Sequence, residues 1–448
     1  MRKWMLVGLS VIGLLSFTGC GGSNESVDSN VSVDSTENGD SNANGDSDAN
    51  EDSNTNEDDS ASEKGNTEIK YFSYSATPDY EQQLSEMVQA FEEENPTIKV
   101  NVEMAPFDTY FTKLQTLLAG GKAPDVFEMN YENFVSYASK GTLLDLTDKV
   151  TGDKDLDLSK VNMRAFEAYK YEGKQFGLTE SFSNVVTIYN KDMFDKAGVD
   201  YPLENWKWED EVAAAQKLTD TENHIFGTYS PITMNEFYKV AAQNGGQIYD
   251  ETGNLTIDDP KNVEALQHMV DLVEKDKVSP GPAEMSGQKS EDLFMNGQLG
   301  MVHTGIWMFG QFKDAPFDWD IQVEAGNTQN ATHFFAEGLV VSKETKEADA
   351  AYQFAKFMSV GPKAAKIRVD SSWNLPISND TEILDSYLKQ TSPSNRQAVF
   401  NSLNYLILPP VSDNWAKLSD TADQEFQNVL LGKETAKEVL ERLQEQFQ

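Results

Sequence analysis

From Glu68 onward the apolar spacing of the chain switches repeatedly between two residues and 3.6 residues, and this alternation restricts the fold more than any other feature. Ile69 to Tyr74 reads as a strand. Thr77-Pro78 then opens a helix, a capping hydroxyl followed by proline at the first helical position. Tyr80, Leu84, Met87, Val88 and Phe91 share one face of it, and Asn95-Pro96 stops it. Ile98, Val100, Val102 and Met104 alternate as a second strand. Phe111, Leu114, Leu117 and Leu118 stripe a second helix that Gly120-Gly121 ends, and Pro124 to Met129 follows as a third strand. Strand, helix, strand, helix, strand in this order implies a parallel, doubly wound α/β sheet. Such sheets hold ligands at the carboxyl ends of their strands, which points to Tyr74, Ser75, Asn130 and Tyr131.

A second unit begins near Val185, where Val185 to Tyr189 is a continuous apolar strand. With 448 residues, two or three units are expected. Trp206 to Leu218 forms a helix, and Asp258-Asp259-Pro260 caps another whose face is Val263, Leu266, Met269, Val270 and Val273. His268 falls on its polar side beside Lys261, Glu264 and Asp271, as a solvated histidine would. Ala436, Leu440, Leu443 and Phe447 stripe a terminal helix. Trp206, Trp208, Trp319 and Trp415 read as packing residues.

The segment before the body has a different chemistry. Met1-Arg2-Lys3 is basic, and Trp4 to Phe17 is a mostly apolar run too short for a membrane-spanning helix of about 20 residues. It reads as a signal peptide over 1–19. Phe17-Thr18-Gly19-Cys20 resembles the bacterial lipobox, with Phe17 where leucine is usual. The mature chain would start at Cys20 and be held outside the cell by acyl chains. Gly21 to Thr67 carries 13 acidic residues, one base and no aromatic residue. Such a stretch cannot bury enough apolar surface to offset its entropy, so 20–67 reads as a disordered, lipid-anchored linker. Asp40, Asn42, Asn44, Gly45 and Glu51 fit the spacing of a calcium loop, but the two flanking helices are missing, which favours a solvated spacer.

Composition removes several function classes. A formal net charge of -38 opposes nucleic-acid binding and a polybasic membrane role. One cysteine excludes a disulfide framework and a Cys-rich metal centre within the chain, and four scattered histidines give no metal set. No cofactor or metal is expected. Gly-x-Ser-x-Gly and His-Glu-x-x-His are missing, and Gly120-Gly121-Lys122 lacks the upstream glycine and the Ser/Thr of a phosphate loop. A glycosidase needs two carboxylates about 5–10 Å apart across a cleft. Glu128, Glu132, Glu180 and Glu337 qualify by position, but 74 acids make such a match uninformative.

Five stretches in order resemble the extracellular solute-binding proteins of sugar ABC importers, the maltose-binding-protein-like group. They are Ile188 to Gly198 (IYNKDMFDKAG), Gly120 to Val126, Phe294 to Met301, Gly305-Ile306-Trp307 and Gly338 to Lys343. The resemblance spans about 68–448. Gly177 to Tyr189 is two residues longer than the related spacing, and Glu337 stands where a second glycine is frequent. The resemblance implies two doubly wound lobes joined by several crossing strands, of the type II periplasmic-binding-protein kind. Lobe 1 would hold 68–182 plus 302–340, and lobe 2 183–301 plus 341–448. Crossings would lie near Ser181–Val185, Leu299–Thr304 and Glu337–Val341. A sugar or oligosaccharide would bind between the lobes, which close by hinge motion, and a permease with its ATPase would receive it from a monomeric protein. No bond would be made or broken. A sugar-sensing receptor or adhesin on the same fold, and a surface glycoside hydrolase, are the alternatives, and a non-sugar solute stays open.

A sugar offers apolar C–H faces and a rim of hydroxyls, so its site needs flat rings and planar polar groups. The resemblance points to Trp307 as a platform, and to Trp373 and Asn374 from the facing lobe. Strand ends add Tyr74, Asn130 and Tyr131, and the first crossing adds Ser183 and Asn184. A polar-aromatic loop adds Tyr229 and Asn235.

Overall fold

The computed structural model describes residues 66–448, except 75–77, 372–373, 411 and 413 and the side chains of 78 and 79. Cys20, the leader, the acidic linker with its calcium-loop pattern, and Trp373 lie outside the described residues. The body begins with β1 (Thr67–Ser73), α1 (Pro78–Glu94), β2 (Ile98–Met104), α2 (Phe107–Ala119), β3 (Val126–Asn130) and α3 (Tyr131–Ser139). β1 pairs in parallel with both β2 and β3, as the alternation of periods requires. The stripe of α1 is buried at Tyr80, Leu84, Met87 and Phe91. Each such side chain contributes about 1.5–3 kcal/mol by leaving water.

The chain continues through β4 (Gly177–Ser183), β5 (Val185–Asn190), α4 (Trp208–Leu218), α5 (Met234–Gln243), α6 (Pro260–Glu274), β6 (Met301–Gly305) and β7 (Trp319–Gln322). It then forms β8 (Phe335–Val341), α7 (Ala348–Val360), α8 (Pro362–Ser371), β9 (Leu375–Pro376), α9 (Trp415–Leu430) and α10 (Ala436–Phe447). The first sheet has the order β9-β4-β8-β3-β1-β2, with β8 antiparallel to β3 and β4. The second has the order β6-β5-β7, with β5 antiparallel to both neighbours. Phe226 to Tyr229 runs parallel beside β6: Tyr229 N donates to Met301 O at 3.1 Å, and His303 N to Tyr229 O at 3.0 Å.

These pairings place several segments differently from the boundaries read in the sequence. β6 and β7, inside the 302–340 stretch assigned to the first lobe, belong to the second sheet. α7 and α8, assigned to the second lobe, pack on the first sheet and on α1. An apolar run reads the same whichever sheet it joins, and the partner strand decides. The chain therefore crosses at Asn184, again between Gln322 and Phe335, and a third time after Pro376. That last crossing leads to α9 and α10, which bury their stripes with α5 and α6. Thr435 and Glu438 cap α10 reciprocally.

His268 is not a solvated surface group. Its ring stacks on Trp208 at 4.0 Å with an interplanar angle of 3°, and burial lowers its pKa. Trp319 and Trp415 are buried, as packing residues should be. Among the described residues no helix is long and apolar enough to cross a membrane.

Candidate functional site

The second crossing carries two phenylalanines whose rings go to opposite faces, as successive strand residues must. Phe334 is buried against Phe182 and Tyr131, with centroids 6.0 and 6.5 Å away. Phe335 is partly exposed, stacks on His333 at 4.7 Å and meets Trp307 edge-on at 5.7 Å. Trp307 leaves β6 in a short 3-10 turn and is partly exposed. Its ring folds back over Gly305, where an added Cβ would stand 1.9 Å from the ring. That close approach is why a glycine sits two residues before the tryptophan. Trp307 and Phe335 thus form an apolar shelf between the two sheets, of the kind that receives the C–H face of a sugar ring.

A carboxyl cluster lies on the first-lobe side, at the carboxyl ends of β1 and β3. One oxygen each of Glu128, Glu180 and Glu337 lie within 4.8 Å of one another. Glu128 accepts from Ser73 Oγ at 2.6 Å and Tyr74 N at 2.9 Å. Glu180 accepts from Arg368 Nη2 at 2.5 Å, and Arg368 Nη1 donates to Met358 O at 2.7 Å. Glu337 Oε2 accepts from Ser181 Oγ at 2.8 Å and Asn374 Nδ2 at 2.7 Å. The pairing of β8 with β4 slips between Glu337 and Gly338, whose partners are Ser181 and Thr179, so Glu180 is a bulge residue. This bulge turns Glu180 into the cluster.

Three carboxyls against one guanidinium cannot all ionise at ordinary pKa values. Burial, then Glu180 and Glu337, holds Glu128 well above the carboxylate range. Burial also lifts Glu180, against the pull of Arg368. Glu337 is raised to about 7 by burial and then by Glu180. Glu132, in the first turn of α3, is also raised to about 7, chiefly by burial. Among the described residues this is the one group with three carboxylates spaced to share a cation. Arg368 supplies one positive charge to it through Glu180. Glu128 and Glu180 are 0% and 1% exposed, which leaves neither free to act on a substrate in this conformation.

Of the residues expected at the site, Asn130, Tyr131, Trp307 and Tyr229 are partly exposed and Asn235 is exposed. Asn130 Oδ1 accepts from Asn133 Nδ2 at 2.9 Å, within the first turn of α3. Asn235 also gives its carbonyl to His333 Nε2 at 2.7 Å. Tyr74 is buried in a ring cluster with Phe107, Tyr110 and Phe111, and its hydroxyl has no partner among the described residues. Ser183 and Asn184 are buried; Asn184 Nδ2 donates to Val399 O at 2.9 Å, so this residue ties the first crossing to the helix Gln397–Ser402. Asn374 is buried and serves Glu337 rather than open space. Phe335, Ser181 and Arg368 were not anticipated. The alternation of Phe334 and Phe335 was a usable signal for the first, whereas nothing local distinguishes the other two.

The second lobe holds a separate buried charge network. His303 bonds Glu211 through Nε2 at 2.8 Å and Glu324 through Nδ1 at 3.0 Å. Lys239 bridges Glu324 and Glu236. Burial opposes the charged form of His303, but Glu211 and then Glu324 hold its pKa up to about 10. The network borders a cavity of about 30 Å³ that Trp208, Ser230 and His268 also line, and its Glu236 lies 4.0 Å from Nε2 of His333, the ring that stacks on Phe335 of the shelf.

A family model for bacterial extracellular solute-binding proteins matches residues 75–360. The ABC substrate-binding protein Lmo0181 from Listeria monocytogenes, solved in complex with cycloalternan, is 57% identical with a TM-score of 0.83, over 85% of this chain and 97% of its own. The arabinooligosaccharide-binding protein of Bacillus subtilis is 27% identical over 312 residues, 66% of this chain and 70% of its own. The cyclic α-maltosyl-1,6-maltose binding protein from Arthrobacter globiformis shares the fold at 22% identity and a TM-score of 0.70, over 85% of this chain and 98% of its own. A match spanning more than half of the residues, on two α/β lobes joined at a multi-strand crossing, places this chain in the family of bacterial extracellular solute-binding proteins.

Proposed function

We propose that this chain is the substrate-binding component of an ABC importer that captures an oligosaccharide between its lobes, a cyclic α-glucan of the cycloalternan kind being the first expectation. The observation that carries the reading is the partly exposed Trp307–Phe335 shelf, set beside the polar strand ends at Asn130 and Glu337, in a chain 57% identical to a cycloalternan-bound protein. The shelf takes the sugar's apolar face, and the strand-end groups with Tyr131, Tyr229 and Asn235 take its hydroxyls. Tyr74, Ser183, Asn184 and Asn374 support these groups from behind, and Trp373 adds a second platform. The lobes close over the sugar, and the closed form is presented to a permease and its ATPase. Cys20 carries the lipid that keeps the monomer at the extracellular face of the cell membrane, with 20–67 as spacer. The protein binds its solute without cleaving it; the burial of Glu128 and Glu180 supports this.

Residues 66–448 would be screened by thermal shift and calorimetry against cycloalternan, linear malto-oligosaccharides, arabino-oligosaccharides, amino acids and polyols. A ligand at 100 times its dissociation constant stabilises the native state by about 2.7 kcal/mol. Binding of an α-glucan recovered intact supports the proposal. Cleavage of the sugar, or binding confined to amino acids or polyols, overturns it.

A further inference from the structure

Glu337 differs from its two neighbours in the carboxyl cluster. Glu128 and Glu180 are sealed in, whereas Glu337 is partly exposed. Ser181 and Asn374 both donate to the same oxygen, Oε2, which fixes the orientation of the carboxyl group. Oε1 accepts nothing from the described residues, and it is not among the fully buried atoms left without a partner. β8 pairs Glu337 with Asn130 at the carboxyl end of β3, and Glu337 lies two residues beyond Phe335 of the shelf. An oriented oxygen with a free lone pair, next to an aromatic platform, is what a sugar hydroxyl needs.

We propose that Glu337 is a specificity-determining residue whose carboxylate accepts a hydrogen bond from a hydroxyl of the captured sugar through Oε1, so that capture tightens as Glu337 ionises. The inference rests on the oligosaccharide reading above. Two donors on Oε2 favour the ionised form, and a hydroxyl on Oε1 adds a third, charge-assisted bond. Burial opposes ionisation first, then Glu180 on β4, and Glu128 on β3 and Glu132 on α3 add like charge. Arg368 of α8, bonded to Glu180, works in the other direction. The hydroxyls of Tyr74 and Tyr169 face the same cluster and stay protonated, because burial raises both far above the working range. The balance holds Glu337 at about 7, so the carboxylate fraction rises about tenfold between pH 6 and 8.

The test is calorimetric titration of residues 66–448 with cycloalternan at pH 6, 7 and 8, for the wild type, Glu337→Gln and Glu132→Gln. The expected result is an affinity that rises about tenfold from pH 6 to 8 in the wild type, and a smaller rise in Glu132→Gln, because loss of the Glu132 charge lowers the Glu337 pKa. Glu337→Gln binds more weakly at pH 8 and has a flat profile. If Glu337→Gln does not fold, Glu337→Ala replaces it with the same expectation. A flat wild-type profile, or a slope that survives in the Glu337 variant, overturns the inference while leaving the oligosaccharide reading in place. No binding at any pH overturns that reading and the inference with it.

Discussion

Replacing Arg368 by methionine removes the one guanidinium from a cluster of three carboxyls, two of them buried. Arg368 is 2% exposed and Glu180 is 1% exposed, so no solvent can move in to replace the lost partner without rearrangement. Breaking a buried pair from one side costs about 3–5 kcal/mol, because the remaining charge is left uncompensated. The carbonyl of Met358 also loses its donor near the end of α7, which adds about 1 kcal/mol. The loss has a pH signature. The folded carboxyl of Glu180 already sits above its unfolded value, so stability falls as pH rises beyond about 4.3 toward the folded pKa. Without Arg368 the folded pKa rises further, and the gap between variant and wild type widens as pH increases. Urea unfolding of residues 66–448 at pH 5 and pH 8 should therefore show a destabilisation of about 4 kcal/mol at pH 8 and clearly less at pH 5. Glu180→Gln with Arg368→Met should recover more than half of the loss, because the orphaned charge is gone. A loss under about 1 kcal/mol at pH 8, an equal loss at both pH values, or no recovery in the double variant would refute the reasoning.

Trp307→Ala removes the larger platform of the shelf and should weaken oligosaccharide binding by roughly 10–100-fold, read by calorimetry, with little change in the unfolding midpoint, since the ring is partly exposed. Gly305→Ala should weaken binding in the same assay with Trp307 still present, because the new methyl would occupy the place of the ring; unchanged affinity would show that the ring position does not matter. Gly338→Ala should cost about 1–3 kcal/mol in urea unfolding, since its Cβ would stand 2.6 Å from the buried Tyr169 ring, whose hydroxyl is tied to Met129 O and Ala336 O. The ion pairs of His303 contribute stability that is complete below about pH 6.5 and is lost as pH rises through about 10. Calorimetric melting should therefore fall more between pH 8 and 10.5 in the wild type than in His303→Gln, and parallel profiles would contradict the assignment.

Helical and strand periods are local properties, and what depends on them was legible in the chain. The stripe of α1, the alternation in β2 and the parallel β1–β2–β3 core follow from spacing within about sixty residues. Gly305-Ile306-Trp307 is local in the same sense: the glycine and the ring that lies over it are two residues apart. The chemistry at strand ends was also visible, which is why Asn130 and Tyr131 come out beside the crossing. Sheet membership was not: β6 joins β5, more than a hundred residues earlier, and a five-residue strand carries no record of its partner. Nor was the state of the acids. Glu128, Glu180 and Glu337 are three of 74 acidic residues in the sequence, and only the folded chain brings them within 4.8 Å around Arg368. His268 looked solvated on its own helix, and Trp208, sixty residues away, covers it. Period and composition determined the layers, the turns and the residue types at the strand ends. Contacts between distant segments decided which of those residues are sealed, which are charged and which stay partly exposed, because burial and electrostatic environment belong to the assembled neighbours and not to the residue.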